Sequence, residues 1–400
     1  MVEYFRDGCK PVGKLLLGLE VEHFITHNNG APVTFDEIQE VMRSMQQPQD
    51  QPIMIDGLYM GYRNKTFGVS LEPACQLEIS IAPRSDVPQI RMIYESYAPQ
   101  LCAVLAQHGL QLHAMGCHPT CAAESLPLIP KVRYEAMDRY FRTSGGHGVC
   151  MMRATASTQV SVDYFSESDF VRKYRVASLI APMLALLTDN APVYQGQPNH
   201  SYCVRTHVWN DVDPERCGII PCLMDDNFGF SAYADYILQR PLIVAKRGAR
   251  TQCVGRKTAS EIYGSHPGRS EIEHILSMFF FDVRLKSYIE IRVADSMTPR
   301  YISAYTQLIK TIFSSPAALD GILRHYAGAT VWDITDAKIS VCCRGYKARI
   351  YDYPVADEIA WLLAQAKSRI PTLEERQLLN PLIELAARKK TLREVDQHDE

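Results

Sequence analysis

Four segments of this 400-residue chain alternate strictly between apolar and polar residues, as a β-strand with one buried face does. They cover residues 15–25, 71–80, 154–164 and 281–295. A half-buried strand of this kind is typical of an antiparallel sheet. Helical and strand patterns do not alternate regularly along the chain, which argues against a parallel α/β sheet. The alternation therefore predicts an α+β fold with a mainly antiparallel sheet, one face of which is covered by helices.

Helical periodicity accounts for most of the remaining chain. The predicted helices cover about residues 35–45, 87–108, 131–141, 166–189, 230–238, 270–279, 299–314, 316–327, 355–367 and 372–393. The most linker-like stretch, residues 46–52, is too short to separate domains. We predict a single catalytic domain over residues 1–400, with the sheet and its motifs in about 15–300 and a helical part in about 300–400.

Composition excludes several classes of protein. The chain carries 42 Lys and Arg against 45 Asp and Glu, a net charge of −3, so a general nucleic-acid or membrane-surface binder is disfavoured. The 12 cysteines include no C-x-x-C pair, which gives little support to a structural zinc site. Buried free thiols are the simpler interpretation. With no apolar signal segment at the start, we expect a reduced, cytoplasmic protein.

The polar faces of the first two strands carry an excess of acid. Glu20, Glu22, Glu72 and Glu78 occupy these faces with no basic residue beside them. One interpretation is a sheet face that simply meets water. The alternative is that the four carboxylates converge, in which case they raise each other's pKa unless a cation lies between them. Mg²⁺ and Mn²⁺ prefer carboxylate and amide oxygens, and Gln159 and Glu290 would complete such a set.

Basic residues share the face of the fourth strand with Glu290. Arg284, Lys286 and Arg292 alternate there, and such a row suits phosphate or carboxylate groups. Arg292 would bind them through a bidentate fork. Carboxylate-bound metals beside these cations are chemically fit for phosphoryl transfer, in which the protein positions groups and neutralises charge.

Other motifs leave alternatives open. The chain has no Walker-type loop and no G-x-G-x-x-G after a strand. The glycine-rich run at 145–148 is either a plain turn or a close approach for a phosphate. In residues 205–213, Arg205 either binds an amino-acid carboxylate or belongs to an edge strand that runs into a turn. We interpret His113, His118 and His147 as structural or surface residues rather than metal ligands.

Six motifs resemble one known family, the plant-type (second-type) glutamate–cysteine ligases. They occur in the family's order and cover most of residues 15–300. The motifs are G-x-E-x-E at 18–22, LEPACQLEIS at 71–80, MMRATASTQVSVDY at 151–164, RTHVWNDVD at 205–213, DDNFGF at 225–230 and RLKSYIEIRVAD at 284–295. The resemblance implies an α+β fold related to glutamine synthetase, with the antiparallel sheet curved into a funnel and covered by helices.

The same resemblance implies an enzyme that uses ATP and Mg²⁺, or Mn²⁺ in its place, to join the γ-carboxylate of glutamate to the amine of cysteine through an acyl phosphate. Its implied metal ligands are Glu20, Glu22, Glu72, Glu78, Gln159 and Glu290. Arg292 would be the catalytic residue that faces the transferring phosphoryl group. Lys286 and Arg284 would contact the nucleotide phosphates. The implied substrate-binding residues are Arg205, Arg153 and His207.

Three positions depart from the family pattern. Ala74-Cys75 and Ser296-Met297 stand where the family usually has Gly-Gly, and Gly148-Val149-Cys150 where it has Gly-Leu-Asp. These changes keep the carboxylates but flank the site, so they leave the amine acceptor open. The alternatives are therefore the same ligase chemistry with another amine, and an inactive metal- or nucleotide-binding relative that acts as a scaffold. The expected partners are small-molecule substrates, and neither a nucleic acid nor a membrane.

Overall fold

A large antiparallel sheet forms the centre of the protein in the computed structural model, which describes residues 1–13, 15–247, 250–264 and 266–395. Eight strands follow the spatial order β8-β9-β7-β1-β5-β4-β3-β2, and β6 pairs with the second half of β1. The strands are β1 (Leu17–His27), β2 (Gln51–Ile55), β3 (Leu58–Arg63), β4 (Phe67–Leu71), β5 (Leu77–Arg84), β6 (Leu110–His113), β7 (Ser157–Val162), β8 (Val283–Leu285) and β9 (Ile289–Asp295).

Sixteen α-helices occur in the described residues. They are α1 (Val2–Asp7), α2 (Phe35–Met45), α3 (Val87–Gln107), α4 (Val132–Ser144), α5 (Gly148–Ala154), α6 (Glu167–Leu187), α7 (Val204–Asn210), α8 (Phe230–Leu238), α9 (Ala259–Tyr263), α10 (Arg269–Leu276), α11 (Pro299–Phe313), α12 (Pro316–His325), α13 (Val331–Arg344), α14 (Val355–Lys367), α15 (Leu373–Leu378) and α16 (Asn380–Ala387). Short two-stranded ribbons join Val193–Tyr194 to Gln197–Pro198, Cys217–Gly218 to Phe280–Phe281, Val244–Arg247 to Arg250–Cys253, and Arg349–Ile350 to Tyr353–Pro354.

The two faces of the sheet differ as the alternation predicts. On β1, Leu17, Leu19 and Val21 are buried. The sheet packs beneath α3, α6 and α11, which contact β5, β9 and β7. The intervening positions of β1 carry Gly18, Glu20 and Glu22, which remain partly accessible on the opposite face. The predicted α+β class, with a mainly antiparallel sheet under helices, is confirmed.

The segment at 71–80 is not the single strand that the alternation predicts. The chain turns back between β4 and β5, and the amide of Glu72 donates to the carbonyl of Gln76 at 2.9 Å to close the turn. Pro73 has no amide hydrogen, so it cannot donate to a strand ladder. Cys75 adopts a positive φ of 67°, the left-handed conformation that glycine tolerates best. The turn places Glu72 near Glu78 instead of six residues along one strand.

Other elements also differ from the sequence-based prediction, and the segment at 281–295 forms two paired strands, β8 and β9, instead of one. Residues 205–210 lie in the short helix α7 and not in an edge strand. The predicted helix over 372–393 is divided into α15 and α16, with Pro381 in the first turn of the second helix. Helix α13 was not predicted, although Thr330 and Asp333 form a capping box at its start. The single catalytic domain over residues 1–400 stays a prediction.

Candidate active site

Strand register gathers the predicted polar residues on one face of the sheet. Glu22 lies opposite Glu78 across the β1–β5 pair, and Glu20 lies opposite Gln159 across the β1–β7 pair. Glu290 lies opposite Arg284 across the β8–β9 pair. Because directly opposed side chains stand about 4.5–5.5 Å apart at Cβ, this register makes neighbours of groups that are distant in the chain.

A cavity of about 340 Å³ lies over this face. The sheet forms the acidic floor of this cavity. The first turns of α4 and the end of α5 form much of its wall. The lining residues that the prediction named are Glu20, Glu22, Glu72, Glu78, Gln159, Arg284, Lys286 and Arg292. Glu290 lies directly behind this surface, with its side chain 0% exposed.

Three of the glutamates form a compact group. Glu22, Glu72 and Glu78 each place a carboxylate oxygen within 4.8 Å of the other two. Glu78 accepts hydrogen bonds from Ser70 Oγ at 3.1 Å and Ser80 Oγ at 2.8 Å. Within the described ranges, no cation forms an ion pair with these three residues or with Glu20. The group is therefore a cluster of carboxylates that no cation of the described residues neutralises by direct contact.

Burial and mutual repulsion shift the acidity of this group. Burial, with a contribution from neighbouring glutamates, raises the pKa of Glu20 to about 7, of Glu72 to about 7 and of Glu78 to about 8. Burial also raises the pKa of Glu22, although Arg205 and Arg292 oppose the shift. A carboxylate whose charged form is disfavoured in this way gains from a bound cation.

Glu290 has the opposite surroundings. Burial alone would raise its pKa, but Arg284, Lys286 and Arg292 outweigh burial and hold the pKa well below its usual range. Its two oxygens lie 2.6 Å from Arg284 Nη2, 2.8 Å from Lys286 Nζ and 2.9 Å from Arg292 Nη1. Glu290 is thus an ionised anchor that holds three cations at the edge of the cavity.

Gln159 connects the two groups. Its Nε2 donates to Glu22 Oε1 at 3.0 Å, and its Oε1 accepts from Arg292 Nη1 at 2.5 Å. The Nε atom of Arg292 is buried and makes no hydrogen bond within the described residues. A metal-ligand role for Gln159 would therefore require its amide oxygen to be shared with Arg292 or released by it.

The divalent-cation prediction can be tested against the donor set. Three converging carboxylates, with the amide of Gln159 beside them, are the oxygen donors that Mg²⁺ and Mn²⁺ prefer. Burial and repulsion between the glutamates raise the pKa of Glu72 and Glu78, and a bound cation would offset both effects. The residues present therefore fit the group.

The three predicted substrate-binding residues do not line this cavity in the described structure. Arg205 is buried behind it, and its Nη1 donates to the carbonyl of Arg292 at 2.9 Å. The Nη2 of Arg153 pairs with Asp138 Oδ1 at 2.6 Å, and His207 is exposed. Direct substrate contact by these residues has no support in their positions, and Arg205 instead supports the strand that carries Arg292.

Helix α4 contributes residues that the sequence analysis missed. Lys131 and Arg133 line the cavity at the start of this helix. Burial, with repulsion from Arg133, lowers the pKa of Lys131 to about 8. Arg133 donates to Ser277 Oγ at 2.7 Å and to the Ser277 carbonyl at 2.6 Å. A sequence signal existed, because basic residues in a first helical turn oppose the usual preference for acids there.

An apolar wall adjoins these cations and was also missed. Met137, Met151, Met152, Tyr134 and Phe280 line the same cavity. Gln76 fixes part of this wall, since its Nε2 donates to the carbonyls of Met152, Arg153 and Thr155 at 3.2–3.3 Å. Gln76 lies in the motif at 71–80, but the alternation of that motif indicated only that its side chain lies on the polar face of a strand.

The positions that depart from the family pattern lie around the cavity. Cys75 and Cys150 are buried and, in the part of the chain that the structure describes, line no part of the cavity. Ser296 Oγ donates to the carbonyl of Glu22. The run at 145–148 lines a different cavity, and a Cβ at Gly145 would lie 2.6 Å from the carbonyl oxygens of Asp211 and Val212. Close backbone approach thus explains Gly145, and the plain turn is the better interpretation.

Comparison with known families gives one match over most of the chain. The sequence model described as glutamate–cysteine ligase family 2 (GCS2) matches residues 16–386. The matched range includes all the strands of the sheet, both charged groups and most of the helical part.

Individual relatives agree with this match. A chloroplastic glutamate–cysteine ligase of Brassica juncea is 33% identical over 305 residues, which cover 74% of this chain and 59% of the relative. The enzyme of the same name from Nicotiana tabacum is 31% identical, over 81% of this chain and 64% of its own length. The one from Medicago truncatula is 29% identical, over 96% of this chain and 78% of its own length. The chain thus spans about three fifths of the length of the first of these relatives.

A solved structure supports the fold. The glutamate–cysteine ligase of Francisella tularensis, solved in complex with AMP, superposes with a TM-score of 0.55 over 95% of this chain and 83% of its own, at 11% identity. The resemblance to ligases of this type, inferred from the six motifs, is confirmed at the level of the fold.

One expectation is overturned by the relatives. The cytoplasmic location predicted from the sequence is wrong, because the relatives from Brassica, Nicotiana and Arabidopsis are named as chloroplastic enzymes. Across the described residues, no helix combines the length and the apolar character needed to cross a membrane.

Proposed function

The chain belongs to glutamate–cysteine ligase family 2, and we propose that it is an ATP-dependent ligase that joins the γ-carboxylate of glutamate to the amine of cysteine. The names of the curated relatives support both substrates. One observation of the structure carries the proposal: the carboxylates of Glu22, Glu72 and Glu78 converge within 4.8 Å in a cavity that Arg284, Lys286 and Arg292 also line.

This arrangement separates two electrostatic tasks. The acidic group would hold Mg²⁺, with Glu20 and Gln159 beside it, and the bound cation would neutralise charge on the transferring phosphoryl group. The basic residues, held by Glu290, would contact phosphate oxygens directly. The protein contributes positioning and fixed charge, which is what phosphoryl transfer requires of it.

The reaction has two steps. An oxygen of glutamate's γ-carboxylate attacks the terminal phosphorus of ATP, ADP leaves, and γ-glutamyl phosphate forms. The amine of the acceptor then attacks the acyl carbon, loses a proton and expels inorganic phosphate. Arg292 is the residue we assign to the developing charge, since its guanidinium lines the cavity while Glu290 and Gln159 fix its orientation.

The apolar wall supports cysteine as the acceptor. Met137, Met151 and Met152 present flexible, polarizable side chains to the cavity, and Tyr134 and Phe280 lie beside them. Such a wall suits a small thiol better than a charged or extended side chain. Lys131 and Arg133 adjoin it and offer positive charge to a carboxylate.

An isotope experiment tests the chemistry. Glutamate labelled with ¹⁸O in its γ-carboxylate is incubated with the protein, ATP, Mg²⁺ and cysteine, and we expect one labelled oxygen in the released phosphate and γ-glutamylcysteine as the product. Glu72→Gln should release no labelled phosphate and form no γ-glutamylcysteine. Glu273→Gln, a change in an exposed surface ion pair, should behave as the wild type.

The identity of the amine acceptor and the type of reaction are tested separately. Glutamate-dependent ADP release with other amines but not with cysteine would contradict the acceptor and retain the ligase. No glutamate-dependent ADP release with any amine would contradict the ligase and favour the scaffold alternative. Unlabelled phosphate would contradict the acyl phosphate.

A further inference from the structure

Five basic side chains line the acidic cavity, and they differ in how the protein holds them. They are Lys131, Arg133, Arg284, Lys286 and Arg292. The last three contact Glu290, and Arg133 is hydrogen-bonded to Ser277. The ammonium of Lys131 makes no hydrogen bond and no ion pair with any residue that the structure describes. Among the described residues, Lys131 is therefore the cation of this cavity that remains available to a substrate.

Lys131 lies where the acidic group meets the apolar wall. It is the N-cap residue of α4, and its Nζ lies 4.4 Å from the centre of the Tyr134 ring. Tyr134 and Met137, further along the same helix, belong to the apolar wall that we assign to cysteine. The face of an aromatic ring holds an ammonium group by electrostatic attraction, and no carboxylate takes part. This contact fixes the position of Nζ and leaves its hydrogen-bonding capacity to a ligand.

The groups around Lys131 favour its neutral form. Burial is the largest effect and lowers the pKa, and repulsion from Arg133 on the same helix and from Lys246 on the ribbon at Val244–Arg247 adds to it. Glu72, in the turn after β4, and Asp56, between β2 and β3, act in the opposite direction but leave the pKa at about 8. A cation bound at the acidic group would offset Glu72 and lower the pKa further. The neutral amine is therefore accessible near neutral pH with or without a bound metal.

We propose that Lys131 is the general base that takes a proton from the amine of the acceptor. The proposal rests on the proposed ligase function, because it takes the acceptor to lie between the apolar wall and the γ-glutamyl phosphate. A general base acts best when it is unprotonated at the working pH and lies within hydrogen-bond reach of the proton that it removes. Arg133 keeps its charge throughout this range and can still attract the carboxylate of the acceptor.

The proton transfer balances as follows. The amine of an amino acid is mainly an ammonium ion at neutral pH, and it has no lone pair for attack. The neutral Nζ of Lys131 takes one of its three protons and becomes an ammonium ion. The freed lone pair forms the C–N bond at the acyl carbon, and the C–O bond to phosphate breaks with its electron pair on the phosphate. A second proton of the nitrogen leaves with the phosphate, and Lys131 returns its proton to solvent.

Two acceptors distinguish a base from a positive charge. Hydroxylamine is mainly unprotonated at neutral pH, so its attack needs no base to expose a lone pair, whereas the attack of cysteine does. Lys131→Arg keeps a positive charge but cannot give up its proton. We expect kcat for formation of γ-glutamylcysteine to fall about 100-fold in this variant. Formation of γ-glutamyl hydroxamate should fall much less.

The pH profile gives a second measurement. In the wild type, kcat with cysteine should rise with pH and level off above about 8, and this rise should be absent with hydroxylamine. Lys131→Met also lacks a base and should discriminate between the two acceptors in the same way, so it replaces Lys131→Arg if thermal unfolding shows that the latter is not folded. Lys367→Arg, an exposed change on α14, should behave as the wild type with both acceptors.

The outcomes separate the base from the ligase. Equal losses with cysteine and hydroxylamine in a folded Lys131 variant would overturn the general base and retain the ligase. An unchanged kcat with cysteine would do the same. A raised KM for cysteine that Lys131→Arg restores would show a carboxylate-binding charge and would also overturn the base. A wild-type protein that forms no γ-glutamyl product with either acceptor would overturn the proposed function and the base together.

Discussion

Two regions of one sheet face hold carboxylates in opposite electrostatic surroundings. At Glu290, three protein cations surround one acid and hold its pKa below the usual range. Around Glu22, Glu72 and Glu78, three acids converge without an ion pair in the described structure, and the pKa of Glu78 is raised to about 8. In the first region, protein cations neutralise the carboxylate. In the second region, no cation of the described residues does so. Under the proposed function, the protein supplies its own cations at Glu290 and would take a divalent cation from solution at the acidic group.

The largest effect should come from breaking the region around Glu290. Glu290→Ala leaves Arg284, Lys286 and Arg292 without their common anion, and removing one partner of a buried ion pair costs about 3–5 kcal/mol. We expect a loss of that size in the free energy of urea unfolding, together with loss of ATP turnover. Glu273→Ala removes an exposed partner and should change stability by less than about 0.5 kcal/mol. Equal free energies of unfolding in the two variants would contradict the conclusion that Glu290 holds its three cations in a stabilising buried ion cluster.

The region around Glu22, Glu72 and Glu78 should reveal itself in the pH dependence of stability. Since the pKa values of Glu20, Glu72 and Glu78 are raised to about 7, 7 and 8, the folded state binds more protons than the unfolded state above pH 4.5. Stability therefore falls as pH rises from about 4.5 to 8, through the range in which these coupled carboxyl groups lose their protons in the folded state.

Divalent cation provides the control for this pH effect. Unfolding measured without metal should show the decline, and saturating Mg²⁺ or Mn²⁺ should reduce it, because a cation bound to the folded state favours the charged carboxylates. Stability that rises over the same pH range in the metal-free protein would contradict the assignment of unbalanced charge.

Arg292→Lys tests how the two regions cooperate. The guanidinium contacts Gln159 and Glu290 through Nη1, and a lysine ammonium cannot reproduce its planar fork. We expect kcat to fall about 100-fold, equivalent to about 2.7 kcal/mol, while metal-dependent stabilisation persists. A fall in metal affinity with unchanged kcat would assign Arg292 to the acidic group instead.

The sequence predicted the charged faces better than it predicted the path of the chain between them. The alternation on β1 correctly predicted that Glu20 and Glu22 lie on one face of the strand and Leu19 and Val21 on the other. The period of two is a local property of a strand, so it can be read from the sequence. Glu72 and Glu78 were predicted to share a strand, yet they approach through a turn at Pro73. The pairing of Gln159 with Glu22 and Arg292 depends on tertiary register, which no local pattern contains.

Other differences show where local patterns are ambiguous. The segment at 205–210 alternates over too few residues to distinguish a strand from the helix α7 that it forms. Substrate binding by Arg205 stays a prediction, and in the structure its guanidinium donates to the carbonyl of Arg292. Lys131 and Arg133 were missed because a basic pair at a helix start resembles an ordinary solvated surface, and only tertiary packing turns it towards the acidic group.

The smallest predicted effect is the most specific test of the comparison. Glu78→Gln retains an oxygen that can accept the hydrogen bonds of Ser70 and Ser80 and removes only the charge. In the metal-free protein at pH 8.5, the variant should be more stable than the wild type by about 1 kcal/mol, because it removes a repelled carboxylate. With Mg²⁺ the order should reverse, since the variant loses a ligand. A carboxylate that stabilised the fold by itself, as Glu290 does, would make the variant less stable under both conditions. The reversal therefore distinguishes a carboxylate kept for a bound cation from one kept for the fold.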